Sequence, residues 1–540
     1  MLFPTFDFLL FALVVLPAAW ALSQRPWART LFLLGASYFF YMAGPKTEPP
    51  PAHPAYAGLL VFSTLLDFVC ARAISTLRSA GASKQDVRVR LWLAASLVGN
   101  LGVLAYFKYV NFLVEATRDV LATFGIETAP FHLDVVLPLG ISFYTFQSLS
   151  YTIDVYRGRL DPERSLVRFA LFVVFFPQLV AGPIVRAADL LPQLRRGPRY
   201  SRAGMAEGAF RILKGLAKKI VLGDWIAVQL CDPIFDAPET YTSAELLLAL
   251  YGYTLQIYAD FSGYSDIAIG LGRLLGYRFP ENFDRPYQAR DIAEFWRRWH
   301  MTLSSWLRDY LYFPLRSAWT SPFGAYVALW LTMFLVGMWH GASWNFVVYS
   351  NLHAAAMVFN RWNRKRDRLR LARKPFVVVP PLVLAGLAWL AGRHVLDLPA
   401  DLSLRLAAVV AVATAVVTAL PQATRGPLAA VHVLLLLHFV VLSRIFFRAP
   451  NLDTASSFVA GLLACDGLGV RPGLVGPWVY AGLVFGFAYH LTPRRWVDEV
   501  AFGIFRRIPG PILGLLSAAS FYGFMKLLEG APKAFIYFQF

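Results

Sequence analysis

The strongest constraint on this chain is the recurrence of apolar runs about as long as a bilayer is thick. A helix that crosses the hydrocarbon core needs roughly 20 largely apolar residues. Runs near that length stand at 5–22, 28–43, 55–75, 92–115, 133–155, 166–185, 206–230, 244–272, 323–342, 344–360, 376–396, 402–420, 427–447, 475–492 and 511–529. Some of these are expected to be half-helices or to lie in the interface. Hydrophobic residues make up 57% of the 540 and charged residues only 16%, against about 45–50% and 25% in an ordinary soluble domain. The expected fold is all-α and polytopic, one membrane domain over 1–540, with lipid as the solvent of its outer face. No basic n-region or small-residue cleavage site marks the start, so the first run reads as a retained helix.

A net charge of +18 would suggest nucleic acid in a soluble protein. Here the basic residues punctuate apolar runs, and lysine and arginine gather in cytoplasmic loops, so no nucleic-acid partner is expected. Arg25 and Arg29 follow the first run. Arg72, Arg78, Lys84, Arg88 and Arg90 follow the third, and Arg157, Arg159, Arg164 and Arg168 the fifth. The loops at 44–54 and 116–131 are poor in both. Strict alternation puts the N-terminus outside and the basic loops in the cytoplasm. It then fails, because Arg186, Arg195, Arg196, Arg199 and Arg202 follow 166–185 as well. That run contains Pro177, Gly182 and Pro183. Broken backbone at membrane depth is tolerated where it is buried in protein or lines a cavity. A re-entrant segment is expected there, and a kinked spanning helix is the alternative. The stretch Arg361 to Lys374, with eight basic residues and Asp367, is expected in the cytoplasm as a topological anchor.

Several chemistries are missing from the pattern. Cys70, Cys231 and Cys465 are far apart and have no metal-ligand spacing. There is no internal repeat, Walker A sequence, H-E-x-x-H or G-x-S-x-G elbow. Three segments remain informative. In the first, Tyr253, Gln256, Asp260 and Tyr264 recur at helical spacing as a polar stripe, and Asp266 lies off it. In the second, Ile292, Phe295, Trp299, Leu303, Trp306 and Tyr310 form an apolar stripe, with Arg297, His300, Ser304 and Arg308 on another face. This is expected to be one amphipathic helix near the cytoplasmic surface. In the third, His340 ends a long apolar run and is followed by Gly341, Ala342 and Ser343. Burial disfavours imidazolium, so a buried His340 would be neutral, the form a general base needs. By itself a lone histidine on an apolar helix is more often a packed core residue, and the same holds for His353.

Longer stretches of text carry a resemblance. LPLGISFYTFQSLSYTIDVYRG at 137–158, FPQLVAGPIVR at 176–186, YADFSGYSDIAIGLGRLLGYRFPENFDRPY at 258–287, FWRRWHMTLSSWLRDYLYFPL at 295–315 and GMWHGASWNF at 337–346 resemble the membrane-bound O-acyltransferase (MBOAT) family. The similarity is closest to its bacterial branch. RIFFRAP at 444–450 and FIYFQF at 535–540 lean toward the alginate O-acetylation side of that branch rather than teichoic-acid D-alanylation. The core of the resemblance covers about 133–372. The family often continues W-G-x-x-H-G after its histidine block. Here Tyr349-Ser350-Asn351-Leu352-His353-Ala354 replaces both glycines, which loosens any role for His353. The region 376–447 aligns less clearly.

The resemblance implies a ring of helices around a central tunnel in a bacterial inner membrane, with His340 as the active-site histidine and His300 as a second functional one. His340 would act as general base or transient acyl carrier. His300 would orient the donor or assist proton transfer. No cofactor is implied, since the donor, acetyl-CoA, is itself a substrate. Arg297, Arg298 and Arg308 would attract its phosphates. Membrane lipid surrounds the chain, and the acceptor would be an exported polysaccharide such as alginate, reached directly or through a periplasmic acyltransferase partner. The alternatives are acyl transfer from a carrier protein, such as D-alanylation of a cell-wall polymer, and a glycan or lipid transporter. If 300–316 is cytoplasmic, the following helix carries His340 away from that face by about 1.5 Å per residue. A cytoplasmic donor would then need a passage within the protein.

Overall fold

The structure, a computed structural model, describes residues 3–43, 54–180, 182–368, 375–420, 426–467 and 469–527. Most of the 44–54 loop, the basic residues 369–374 and the FIYFQF segment lie outside the described residues. Among those described, every regular element is helical. Among the described residues six helices are long and apolar enough to cross a membrane: Phe6–Gln24, Tyr56–Ser79, Val87–Thr123, Pro322–His340, Ala400–Ala419 and Pro427–Arg448. Their outward faces are apolar, with Leu13, Val14, Val98, Leu404 and Val412 exposed. That is unfavourable in water and suits lipid. The uncertain region 376–447 resolves into three helices, Pro375–His394, Ala400–Ala419 and Pro427–Arg448.

The chain packs as two compact units, each drawn from separate stretches. One comprises Met1–Lys219, Phe261–Asn282 and Glu499–Phe540; the other comprises Ile220–Asp260 and Phe283–Asp498. In the first unit the run 166–185 is broken as its prolines and glycine require. Helix Leu166–Val174 has nine residues and Phe176–Leu179 has four. Nine residues rise only about 14 Å, so neither piece is long enough to cross a bilayer by itself. The backbone groups exposed by the break find partners within the protein. Gln147 and Gln178 both donate to the Phe172 carbonyl, at 2.6 and 2.8 Å, and the Phe176 N–H donates to Ser37 Oγ at 3.2 Å. The run 133–155 also differs from expectation. Its helix begins only at Ile141, after Gly140 at φ 71°. A Cβ on Gly140 would lie 2.7 Å from the Leu179 carbonyl, so the broken segment requires glycine there.

Four glycines set a second close approach in this unit. A Cβ on Gly270 would meet the Gly208 carbonyl at 2.7 Å, and one on Gly215 would meet the Gly263 carbonyl at 2.6 Å. Helix Arg202–Ala217 and the C-terminal part of helix Ser243–Leu274 therefore cross backbone against backbone, as small residues permit in membranes. Beside this crossing Asp266, the acid off the predicted polar stripe, is held by Arg211 at 3.1 Å, Lys214 at 3.4 Å and Lys218 at 2.8 Å. The stripe residues Tyr253, Gln256, Asp260 and Tyr264 are all buried.

In the second unit, helix Pro322–His340 turns back through 341–343 into helix Trp344–Arg368. The two lie in contact where Gly337 faces Ser350, since any Cβ on Gly337 would overlap the serine side chain. Ser350 occupies one of the positions where the family pattern has glycine, and Gly337 supplies the space it needs.

The glycine crossing gives an expected outcome. Gly270→Ala should destabilise the purified protein by about 1–3 kcal/mol, the range for overpacking. Gly35→Ala, in a helix with nothing within 4 Å of its Cβ position, should be neutral or slightly stabilising. Melting temperatures of the two variants check this, and equal shifts would contradict it.

Candidate active site

The apolar stripe of 292–310 is present as expected: Ile292, Phe295, Trp299, Leu303, Trp306 and Tyr310 are all buried. The single continuous helix is not. Helix Ile292–Arg298 stops, His300 takes left-handed backbone at φ 45°, and helix Met301–Leu307 begins. Left-handed backbone is uncommon for a residue with a Cβ. Here the imidazole offsets it by capping the new helix, with Nδ1 accepting from the Leu303 N–H at 3.4 Å. A periodic stripe cannot reveal such a break, because the apolar spacing continues through it. The consequence for the site is large. His300 is not on an exposed polar face but is fully buried.

Since Nδ1 accepts, the proton of the neutral ring sits on Nε2. Burial pushes the His300 imidazolium down to about 3 from its usual 6.5, so the ring is neutral at pH 7. It lies edge-on to the Trp339 indole, ring centres 5.6 Å apart.

His340 is the last residue of its helix and is 2% exposed. Its ring lies 5.1 Å from Trp339 and 5.3 Å from Phe447. The two histidines, 40 positions apart, therefore flank one indole. Gly341, extended at φ −161°, matters for closeness rather than conformation. Any Cβ there would overlap the Phe346 ring, which packs 5.3 Å from Phe447. Tyr349 completes this side at 6.4 Å from His340. His353 lies behind Tyr349, ring centres 4.4 Å apart, with Nε2 3.1 Å from Ser443 Oγ.

The three arginines considered for the donor phosphates differ in their surroundings. Arg298 is bound by Glu294 at 2.9 Å and reaches Asp284 at 3.6 Å. Burial opposes ionisation of Glu294, yet hydrogen bonds from Arg290 and Arg298 hold its carboxyl down at about 2. Arg308 pairs with Asp309 at 2.8 Å. Arg297 is exposed and, among the described residues, makes no ion pair. Helix Ile292–Arg298 is itself fixed by Asp291, which caps the N–H groups of Ala293 and Glu294 at 3.0 Å and pairs with Arg364.

Two site features escaped sequence reasoning. Arg444 follows a long apolar run, yet it is 1% exposed and stands over the Trp299 ring at 4.9 Å. His490 accepts from the Tyr287 N–H at 3.0 Å and packs 4.4 Å from Tyr258. No local motif marks either residue. The only signal was the inclusion of Arg444 in the RIFFRAP segment.

Comparison with known proteins places the chain in a family. The model of the MBOAT, membrane-bound O-acyltransferase family, matches residues 163–368, which contain both histidines. A protein of Azotobacter vinelandii named "Probable alginate O-acetylase AlgI" is 42% identical over 334 residues, 62% of this chain and 63% of the relative. The "Peptidoglycan O-acetyltransferase" of Helicobacter pylori is 30% identical over 474 residues, 83% of this chain and 76% of the relative. The "Teichoic acid D-alanyltransferase" of Bacillus subtilis is 30% identical over 244 residues, covering 42% of this chain and 60% of the relative. The chain belongs to the membrane-bound O-acyltransferase family and is a multi-pass membrane protein. It matches a little under two thirds of the length of the alginate relative.

The buried neutral His300 has a thermodynamic consequence. The unfolded chain takes up a proton near pH 6.5, and the folded chain resists until about 3. Stability is therefore full above 6.5 and is lost as pH falls through that window. Between pH 6.5 and 5, above the range in which Glu294 contributes, His300→Gln should remove on the order of 1–2 kcal/mol of acid sensitivity. Melting temperature against pH checks this, and parallel curves for the two proteins would contradict it.

Proposed function

We propose that the chain is an O-acetyltransferase that takes acetyl groups from cytosolic acetyl-CoA and delivers them across the bacterial inner membrane for O-acetylation of an exported polysaccharide such as alginate. The observation that carries this is the pair of buried histidines on one indole. It supports a reading in which His340 is the general base and His300, with its proton on Nε2, works beside it, within a family whose members transfer acyl groups. The alginate relative at 42% identity supports acetyl as the group and a polyuronate as the final acceptor.

His340 removes the proton from the incoming hydroxyl as its oxygen attacks the thioester carbon. The same proton then serves the departing thiolate. His300 Nε2–H donates toward the reacting groups and orients the donor. A thioester is already activated, so the protein has to supply position, a base and a dry surround. Arg297, exposed and without an ion pair among the described residues, is the best placed of the three arginines for a donor phosphate. Arg298 and Arg308 already hold carboxylates. The donor reaches His340 through a passage within the helices, and the acetyl group leaves on the far side to the polysaccharide or to a periplasmic acyltransferase.

In a His340→Ala strain with normal membrane levels of the protein, acetylation of the exopolysaccharide should fall by at least the 10²–10⁴-fold that acid–base help provides. Unchanged acetylation would remove His340 from the mechanism. Arg297→Ala should raise the KM for acetyl-CoA several-fold more than Arg308→Ala, which removes a cation already neutralised by Asp309. Equal effects would contradict the phosphate assignment. A requirement for a phosphopantetheine carrier in place of free acetyl-CoA would favour the D-alanyl type of donor.

A further inference from the structure

An arginine at the end of an apolar helix ordinarily runs its stem along the helix and puts its charge in water. Arg444, in the last turns of helix Pro427–Arg448, turns inward instead. Its guanidinium stands over Trp299 at 4.9 Å and over Phe447 at 5.4 Å, and Nη1 donates to the Tyr349 hydroxyl at 3.3 Å. These are the surroundings of His340. The Phe447 ring is 5.3 Å and the Tyr349 ring 6.4 Å from the imidazole, and Trp299 is the residue next to His300. A guanidinium is cationic at every physiological pH. In a dry interior its field acts with far less screening than in water.

The reaction proposed above develops negative charge at one atom. The acceptor oxygen bonds to the thioester carbon while its proton passes to His340, and the carbonyl electron pair moves onto the carbonyl oxygen. The pair then returns, the C–S bond breaks, and the thiolate leaves with the proton from His340. A fixed donor cation that shares Phe447 and Tyr349 as neighbours with the base suits the intermediate stage of that cycle. We propose that Arg444 is a further catalytic residue, whose guanidinium holds the carbonyl oxygen of the acyl donor as it becomes an oxyanion, with Tyr349 fixing its position. This rests on the acetyl-transfer reading of the same site.

The test uses the full chain in lipid nanodiscs with thiol release from acetyl-CoA as readout. Wild type and His340→Ala run alongside. Arg444→Gln should lower kcat by about 10²–10³-fold, the usual loss for an oxyanion donor, while the KM for acetyl-CoA stays within about threefold. Arg444→Lys should recover at least tenfold of that loss by restoring a point charge. S-ethyl-CoA, which lacks the carbonyl oxygen, should inhibit wild type and Arg444→Gln equally. A wild-type kcat in Arg444→Gln would overturn the proposal, as would a loss confined to KM or unequal inhibition by S-ethyl-CoA. Failure of the lysine variant to recover activity would also overturn it. If both variants lose their melting transition, Arg444 is a structural residue and the proposal is likewise overturned. If wild type releases no more thiol than His340→Ala, the acetyl-transfer reading itself falls, and this proposal with it.

Discussion

The reversal of the backbone at His300 is the constraint on which the site depends. At that residue the chain leaves one short helix and starts another through left-handed geometry. Two results follow from the same turn. Trp299 is buried against Phe295, ring centres 5.7 Å apart, and becomes the floor beneath Arg444. His300 is carried to the indole of Trp339. A continuous helix would place neither in the same way, because successive residues would follow the 100° step that the stripe implies. Such strain persists where the surrounding structure fixes it. Here the capping bond to Leu303 and the packed tryptophans do so.

The electrostatics of this unit follow from which cations hold carboxylates and which lie on aromatic rings. Around Arg297, Arg298 and Arg308 the acids Glu294, Asp284 and Asp309 consume two of three cations. Farther in, the shell around His340 is aromatic, and the charge it contains is set by Arg444 over two ring faces. Stacking on the Trp299 and Phe447 rings holds the guanidinium against two aromatic faces. Close packing of small residues permits this density of aromatics. Gly341 admits Phe346, and Gly337 admits Ser350.

Much of this was legible in the sequence because hydrophobic length and helical periodicity are direct records of packing against lipid and protein. The helices at 5–22, 55–75, 323–342 and 427–447 stand close to where their apolar runs put them. The break in 166–185 was legible because Pro177 and Pro183 lack the N–H of a helix interior and crowd the preceding turn, with Gly182 beside them weakening it further. The break at His300 was not, since no proline or glycine stands there and the apolar spacing runs on unchanged. Arg444 was hidden for a different reason: a cation at the end of a membrane helix has an ordinary meaning, and only the fold shows that its side chain points inward. His353 lies behind Tyr349, adjoining the shell rather than bordering His340.

The central claim is that His300 and His340 belong to one site and act on one reaction. A double-mutant cycle on thiol release from acetyl-CoA tests it most directly, with His300→Gln, His340→Gln and the pair combined. Residues that act as a unit are strongly non-additive. The double variant should therefore lose no more than the worse of the two single variants. A loss equal to the product of the two single losses would show that the histidines act independently, and would contradict the account.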